Sequence, residues 1–159
     1  MALGGSTTSL GLTSVLDTDD YVTGLSLDDK TVLVGTLLGH VWLSEDCSVA
    51  GAPCSWSRVQ APVRDGLVNV VGGTPSAPGT WYVSSVAADL GVRATSTNGV
   101  WSSTDRGKTW IRADEGLYPC RMVWRMERDA SGGLLAGLWG WRVCGVRIEV
   151  VYFAWAGFP

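Results

Sequence analysis

Histidine is nearly absent from this 159-residue chain, which has one, and there are four cysteines and two phenylalanines. A lone His40, with no Cys-x-x-Cys spacing and no Cys/His cluster, gives no basis for a zinc-type site, and no metal or cofactor is expected. Charge is also sparse: 17% of residues are ionisable at a formal net charge of −3, and no basic run exists. A nucleic-acid partner would need a positive footprint, so that class is set aside. Long apolar runs are lacking too. The most apolar segment, Val143 to Pro159, is broken by Arg147 and Glu149, so no membrane-inserting stretch is expected. Met1 to Val15 contains no basic residue and no continuous apolar core, and does not read as a secretory signal. Phosphate loops, dinucleotide fingerprints and Gly-x-Ser-x-Gly elbows are missing as well.

What the chain has in abundance is tryptophan and glycine, nine and 21 respectively, within a 46% apolar composition. Large rings with many tight turns suit short strands stacked as sheets. The most informative stretch is Ser103-Thr104-Asp105-Arg106-Gly107-Lys108-Thr109-Trp110, behind Val100-Trp101. Ser103 and Asp105 have short polar side chains that accept backbone N–H bonds, and Gly107 tolerates positive φ, so the stretch predicts a hairpin turn stitched by its own side chains. Part of the pattern recurs: Val41-Trp42-Leu43-Ser44-Glu45-Asp46 matches Val100 to Asp105 at Val, Trp, Ser and Asp. There the loop from Cys47 to Cys54 intervenes before Ser55-Trp56, which take the places of Thr109-Trp110. A fainter third copy sets Leu135-Ala136-Gly137, six residues before Val143, against Leu33-Val34-Gly35 before Val41. The mean spacing is about 50 residues, near the length of one four-stranded propeller blade.

The spacing Ser-x-Asp-x-Gly-x-Thr-Trp resembles the Asp box, or BNR repeat, of sialidase-like and sortilin-like β-propellers. All five defining positions are matched, by Ser103, Asp105, Gly107, Thr109 and Trp110, while Ser44, Asp46, Ser55 and Trp56 form a degenerate copy. The resemblance implies an all-β chain of about three four-stranded antiparallel blades, at about 20–60, 66–113 and 121–155. Residues 1–19 are then an N-terminal extension or an extra strand. The expected strands are Tyr21–Leu27, Thr31–Gly35, His40–Leu43 and Ser55–Val59, then Gly66–Val71, Thr80–Ser84, Gly99–Ser102 and Thr109–Ala113. The third unit follows with Arg121–Arg128, Leu134–Leu138, Trp141–Cys144 and Arg147–Ala154. Three blades fall short of the roughly four to eight of a closed ring, so a partial propeller with open edges prone to self-association is expected.

In that family the box is a structural turn far from the ligand face. The resemblance therefore implies a module that binds a protein, peptide or glycan, in an extracellular or periplasmic setting. Candidate contacts are Arg121, Trp124, Arg125 and Arg128, since Arg and Trp at close spacing make effective hot spots. The alternative is a fragment of a glycoside hydrolase of sialidase-like or xyloglucanase-like type. Against it, Arg93, Arg121, Arg125, Arg128, Tyr82, Tyr118, Glu115 and Glu127 stand in no recognisable catalytic context, and the chain's Asp residues fall mainly in turns. No catalytic residue is therefore assigned. Cys47 and Cys54 flank a loop short enough to bridge, and Cys120 with Cys144 is a second candidate pair; free thiols in a reducing compartment are equally compatible with the sequence.

Overall fold

Runs of Val, Leu and Trp alternating with small or polar residues produce antiparallel hairpins throughout. The computed structural model describes residues 11–28, 31–47, 54–63, 66–72, 79–87, 99–115, 117, 123–128, 133–138 and 150–153. Apart from a 3-10 turn at Leu12–Ser14, the regular structure in these residues is all β, in three antiparallel sheets. The first sheet has the order β1-β2-β3-β4, formed by Val22–Asp28, Thr31–Thr36, Val41–Ser44 and Ser57–Val59. The second repeats it as β5-β6-β7-β8, formed by Gly66–Val71, Trp81–Ala87, Gly99–Ser103 and Ile111–Arg112. The third has the order β11-β10-β9, with β9 at Val123–Arg128, β10 at Leu134–Leu138 and β11 at Val150–Phe153.

Registers show how far the three sheets repeat one another. Val41 lies opposite Gly35, Val100 opposite Ser84, and Val150 opposite Gly137. Val150, not Val143, is thus the counterpart of Val41 in the third sheet, which corrects the expected alignment. The cause is chain length: the segment joining β10 to its neighbour is longer here than the tight turn between β2 and β3, so counting six residues from Gly137 falls short. The expected strand Trp141–Cys144 lies outside the described residues. Strand ends also differ from expectation: β6 continues to Ala87, where buried Val86 extends its apolar run, and β8 shrinks to Ile111–Arg112.

Consecutive sheets pack through their first strands, β5 lying on β1 and β2, and β9 on β5 and β6. Two apolar layers result. Between the first and second sheets lie Leu33, Val41, Leu43, Val68, Val70, Trp81 and Val83; between the second and third lie Val71, Tyr82, Val100, Val123, Met126 and Leu134. A third cluster, on the far face of the first sheet, gathers Val32, Val34, Cys47 and Cys54 under Leu12, Trp42 and Trp56.

Polar side chains stitch the same junctions. The Thr23 hydroxyl donates to the Val68 carbonyl at 2.8 Å and accepts from the Val68 N–H at 3.2 Å, while Ser26 Oγ accepts from Gly72 N–H at 2.7 Å. Asn69 Nδ2 donates to the Val123 carbonyl at 3.3 Å, joining β5 to β9. Each bond satisfies a backbone group that has no ladder partner at the sheet edge, a group otherwise costly to bury. Close approach needs small residues as well: a Cβ added at Gly35 would collide with the Val68 carbonyl oxygen, and one added at Gly24 would sit 2.8 Å from it.

Candidate functional site

The polar turn after β7 is built as its residue types dictate. Ser103 Oγ donates to Asp105 Oδ1 at 2.8 Å and accepts from the N–H groups of Gly107 at 2.7 Å and Asp105 at 3.3 Å. Asp105 Oδ1 also accepts from Thr109 N–H at 2.8 Å, and its Oδ2 from the Thr109 hydroxyl at 2.6 Å. Arg106 and Gly107 take φ of 59° and 78° to turn the chain inside this net. Trp110 then folds back, donating its indole N–H to the Gly107 carbonyl at 3.1 Å while its ring packs on the apolar layer shared with the first sheet. Five matched residues therefore close one local structure, and the hydrogen bonds of Ser103, Asp105, Thr109 and Trp110 close on the turn itself.

The shorter copy keeps the core of this arrangement. Ser44 Oγ donates to Asp46 Oδ1 at 2.8 Å, and Ser55 N–H donates to the same oxygen at 2.9 Å, so Ser55 occupies the role of Thr109. The intervening loop is closed by a Cys47–Cys54 disulfide, with Cα atoms 4.8 Å apart. Trp56 covers the bridge and Val32 much as Trp110 covers its own sheet. Arg106 reaches Glu45 at 2.8 Å and ties the two turns together at the surface. Cys120 and Cys144 lie outside the described residues.

Both aspartates are strong acids for the same physical reason. Hydrogen bonds from the Thr109 hydroxyl and N–H, and then from Ser103, lower the Asp105 pKa to about 2; bonds from Ser55, and then Ser44, do the same to Asp46. Because the folded pKa lies below the ordinary value of 3.8, the ionised turn stabilises the fold fully above that value. That contribution disappears as pH falls toward 2. The denaturant midpoint of the wild-type chain should hence drop between about pH 4 and pH 2 more steeply than that of Asp46→Asn/Asp105→Asn, whose neutral-pH midpoint is already lowered. Parallel acid profiles for the two chains would refute the linkage.

A second polar assembly was not legible in the sequence. The buried carboxylate of Asp20 accepts backbone N–H bonds from Leu38 at 2.9 Å and Tyr21 at 3.1 Å through Oδ1, and its Oδ2 faces His40 Nδ1 at 3.0 Å. Asp17 stands 3.9 Å from the same ring nitrogen. The lone histidine thus serves as a bracket, fixing residues 17–21 to the β2–β3 turn. Asp20 stands 18 residues from Leu38 and 20 from His40, and no local pattern joins an Asp in one turn to a His in the next.

A groove of about 280 Å³ opens where β1, β5 and β9 run side by side. Thr23 and Ser26 of β1, Asn69 and Val70 of β5, and Arg125 and Glu127 of β9 line it. All three strands stand at the ends of their sheets. Of the four residues expected to form a contact face, the structure separates two. Arg125 borders the groove, exposed and paired with Glu127 at 2.6 Å. Arg128 turns the other way, donating to the Thr80 carbonyl at 3.0 Å with its guanidinium 5.0 Å from the centre of the Tyr82 ring, and so joins β9 to β6. Trp124 is half-exposed on β9. Arg121 lies outside the described residues. Among the described residues no group of three His, Cys, Asp or Glu side chains could hold a metal ion, and no helix is long and apolar enough to cross a membrane.

No family model, curated protein or solved structure matches this chain.

Proposed function

We propose that the three sheets are radial blades of an Asp-box β-propeller-like array, and that the chain is a non-catalytic module holding an extended peptide segment of a partner protein. The observation that carries this reading is the groove itself, where three end strands present their edges around one space. An edge strand offers backbone donors and acceptors to an extended peptide, and the side chains beside it supply selectivity. Thr23, Ser26 and Asn69 spend their polar groups on Val68, Gly72 and Val123 at the junctions, so the group that reaches a ligand from the groove is the exposed guanidinium of Arg125, held in place by Glu127. That combination suits a peptide bearing an acidic side chain.

The inward-tied chemistry of both polar turns also supports a scaffold role, because Ser103, Asp105 and Thr109 spend their hydrogen bonds on one another. Hydrolysis by a carboxylate pair needs two acids facing across roughly 5–10 Å. Glu127 is the one acid among the described lining residues, and Arg125 engages it.

Screening a library of extended peptides against the purified chain, beside a glycan array and a panel of fluorogenic glycosides, tests the reading. The expected result is selection of acidic peptides, with affinity reduced about tenfold or more in Arg125→Ala. Glycan capture, or glycoside turnover lost on replacing Glu127, would replace it with the hydrolase or lectin alternative.

A further inference from the structure

The two polar turns close in the same way over different lengths of chain. Asp105 Oδ1 accepts the N–H of Thr109, four residues further on, whereas Asp46 Oδ1 accepts that of Ser55, nine residues further on. Each carboxylate also takes the hydroxyl of the serine two residues before it. In the second sheet Arg106-Gly107-Lys108 alone span the gap, and positive φ at Arg106 and Gly107 brings the chain back. The first sheet has Cys47 to Cys54 in that place. These two stand seven residues apart in sequence, yet the disulfide sets their Cα atoms 4.8 Å apart. Neighbouring Cα atoms across an ordinary peptide bond are about 3.8 Å apart, so the bridge reduces the detour to little more than one step of chain.

What the bridge returns to the sheet is a short edge and its cover. β4 is three residues long, lies at the end of its sheet, and leaves Ser57 and Arg58 exposed. Its pairs with β3 are Val59 with Val41, Arg58 with Trp42 and Ser57 with Leu43. Just before it, Trp56 packs with Leu12 and Trp42 over Val32, Val34 and the two half-cystines, none of which is more than 8% exposed.

We infer that the Cys47–Cys54 bridge is a redox-operated clasp: oxidised, it closes the first polar turn and keeps Trp56 on the outer face of the first sheet; reduced, it releases Ser55 to Arg58 and bares that apolar face. The step is a thiol–disulfide exchange. A dithiol reductant passes two electrons and two protons to the bridge, the S–S bond breaks to leave a thiol on each cysteine, and the reductant closes its own disulfide. Ser55 must then return to Asp46 across a flexible loop, whose closure costs conformational entropy that the bridge had removed. Asp105 and Thr109 are joined by three residues of continuous chain, so the second turn stays shut. The chain thus carries a conditional and an unconditional copy of one turn. β4 lies at the opposite end of its sheet from β1, so opening the clasp leaves β1 paired with β2 beside the groove.

Hydrogen exchange followed by mass spectrometry, on the full chain with and without dithiothreitol, tests the clasp, with alkylation and peptide mapping to establish that Cys47 and Cys54 are reduced. Exchange at residues 55–58 should rise about tenfold or more on reduction, stay unchanged at residues 109–112, and return once the reductant is removed and the bridge re-forms. Cys47→Ala/Cys54→Ala should show the open pattern with or without reductant, so that neither Cys120 nor Cys144 accounts for it. Replacing residues 47–54 by Arg-Gly-Lys, the sequence that spans the second turn, should give the closed pattern in both conditions. Unchanged exchange at 55–58 in the reduced chain or in the double variant overturns the clasp. So does a rise shared by 109–112, which marks general unfolding, and so does protection that fails to return on reoxidation. A grafted turn that exchanges freely at 55–58 would show that the bridge does not stand in for a shorter chain.

Discussion

Replacing Trp81 with alanine should lower the stability of the chain by about 4 kcal/mol, equivalent to a fall of roughly 10 °C in melting temperature. Among the described residues Trp81 is the largest fully buried side chain, at 1% exposure, and stands at the start of β6 among Leu33, Val41, Leu43 and Val83. Its ring fills the layer shared by the first two sheets and also lies beneath the polar turn, with Gly107 against it. Truncation therefore removes the transfer energy of a large ring and leaves a cavity that rigid strands on both sides cannot close. Trp124→Ala, which truncates a half-exposed ring on β9, should cost much less. Thermal unfolding of the two variants beside the wild type, followed by far-ultraviolet circular dichroism, decides the matter; equal falls would mean that Trp81 is not a keystone of this layer.

The hairpins were legible because their signals are local. Short runs rich in Val and aromatic residues at Gly66 to Val71 and Thr80 to Ser84, with Gly and Pro between them, mark two strands whatever surrounds them, although β6 runs on to Ala87. The Ser103-to-Trp110 turn was legible for the same reason: its donors and acceptors lie within four residues of one another. Non-local features were not. Counting along the chain placed the third strand of the last sheet at Val143, whereas register places Val150 opposite Gly137. Spacing measures distance in sequence, and a ladder responds to hydrogen bonding, so any lengthened connection defeats the count. Arg128 was grouped with Arg125 by proximity, but strand alternation sends the two to opposite faces, one to Tyr82 and the other to the groove. The bracket of Asp20 and His40 joins two turns that come together only once β1 and β2 have paired.

Gly107→Val is the other substitution expected to be severe, and it acts through backbone and packing at once. With φ at +78°, residue 107 lies in the left-handed region, where a side chain costs about 1–2 kcal/mol and a β-branched one is least tolerated. A Cβ there would also lie 2.8 Å from Val59 Cγ1 and 3.1 Å from the Trp81 ring, closer than those atoms permit. Val59 belongs to β4 of the first sheet and Trp81 to β6 of the second, so relieving the overlap means parting the two sheets along their shared layer. Overpacking of a filled core adds about 1–3 kcal/mol, which brings the expected loss to about 3 kcal/mol or more. Lys108→Val supplies the control, because that exposed neighbour changes volume and β-propensity at the same turn without entering the layer. Chemical denaturation should show a large drop in midpoint for the first variant and little change for the second. If both drop alike, the glycine serves the turn alone; if only Gly107→Val does, the turn holds two sheets in register as well as reversing one chain.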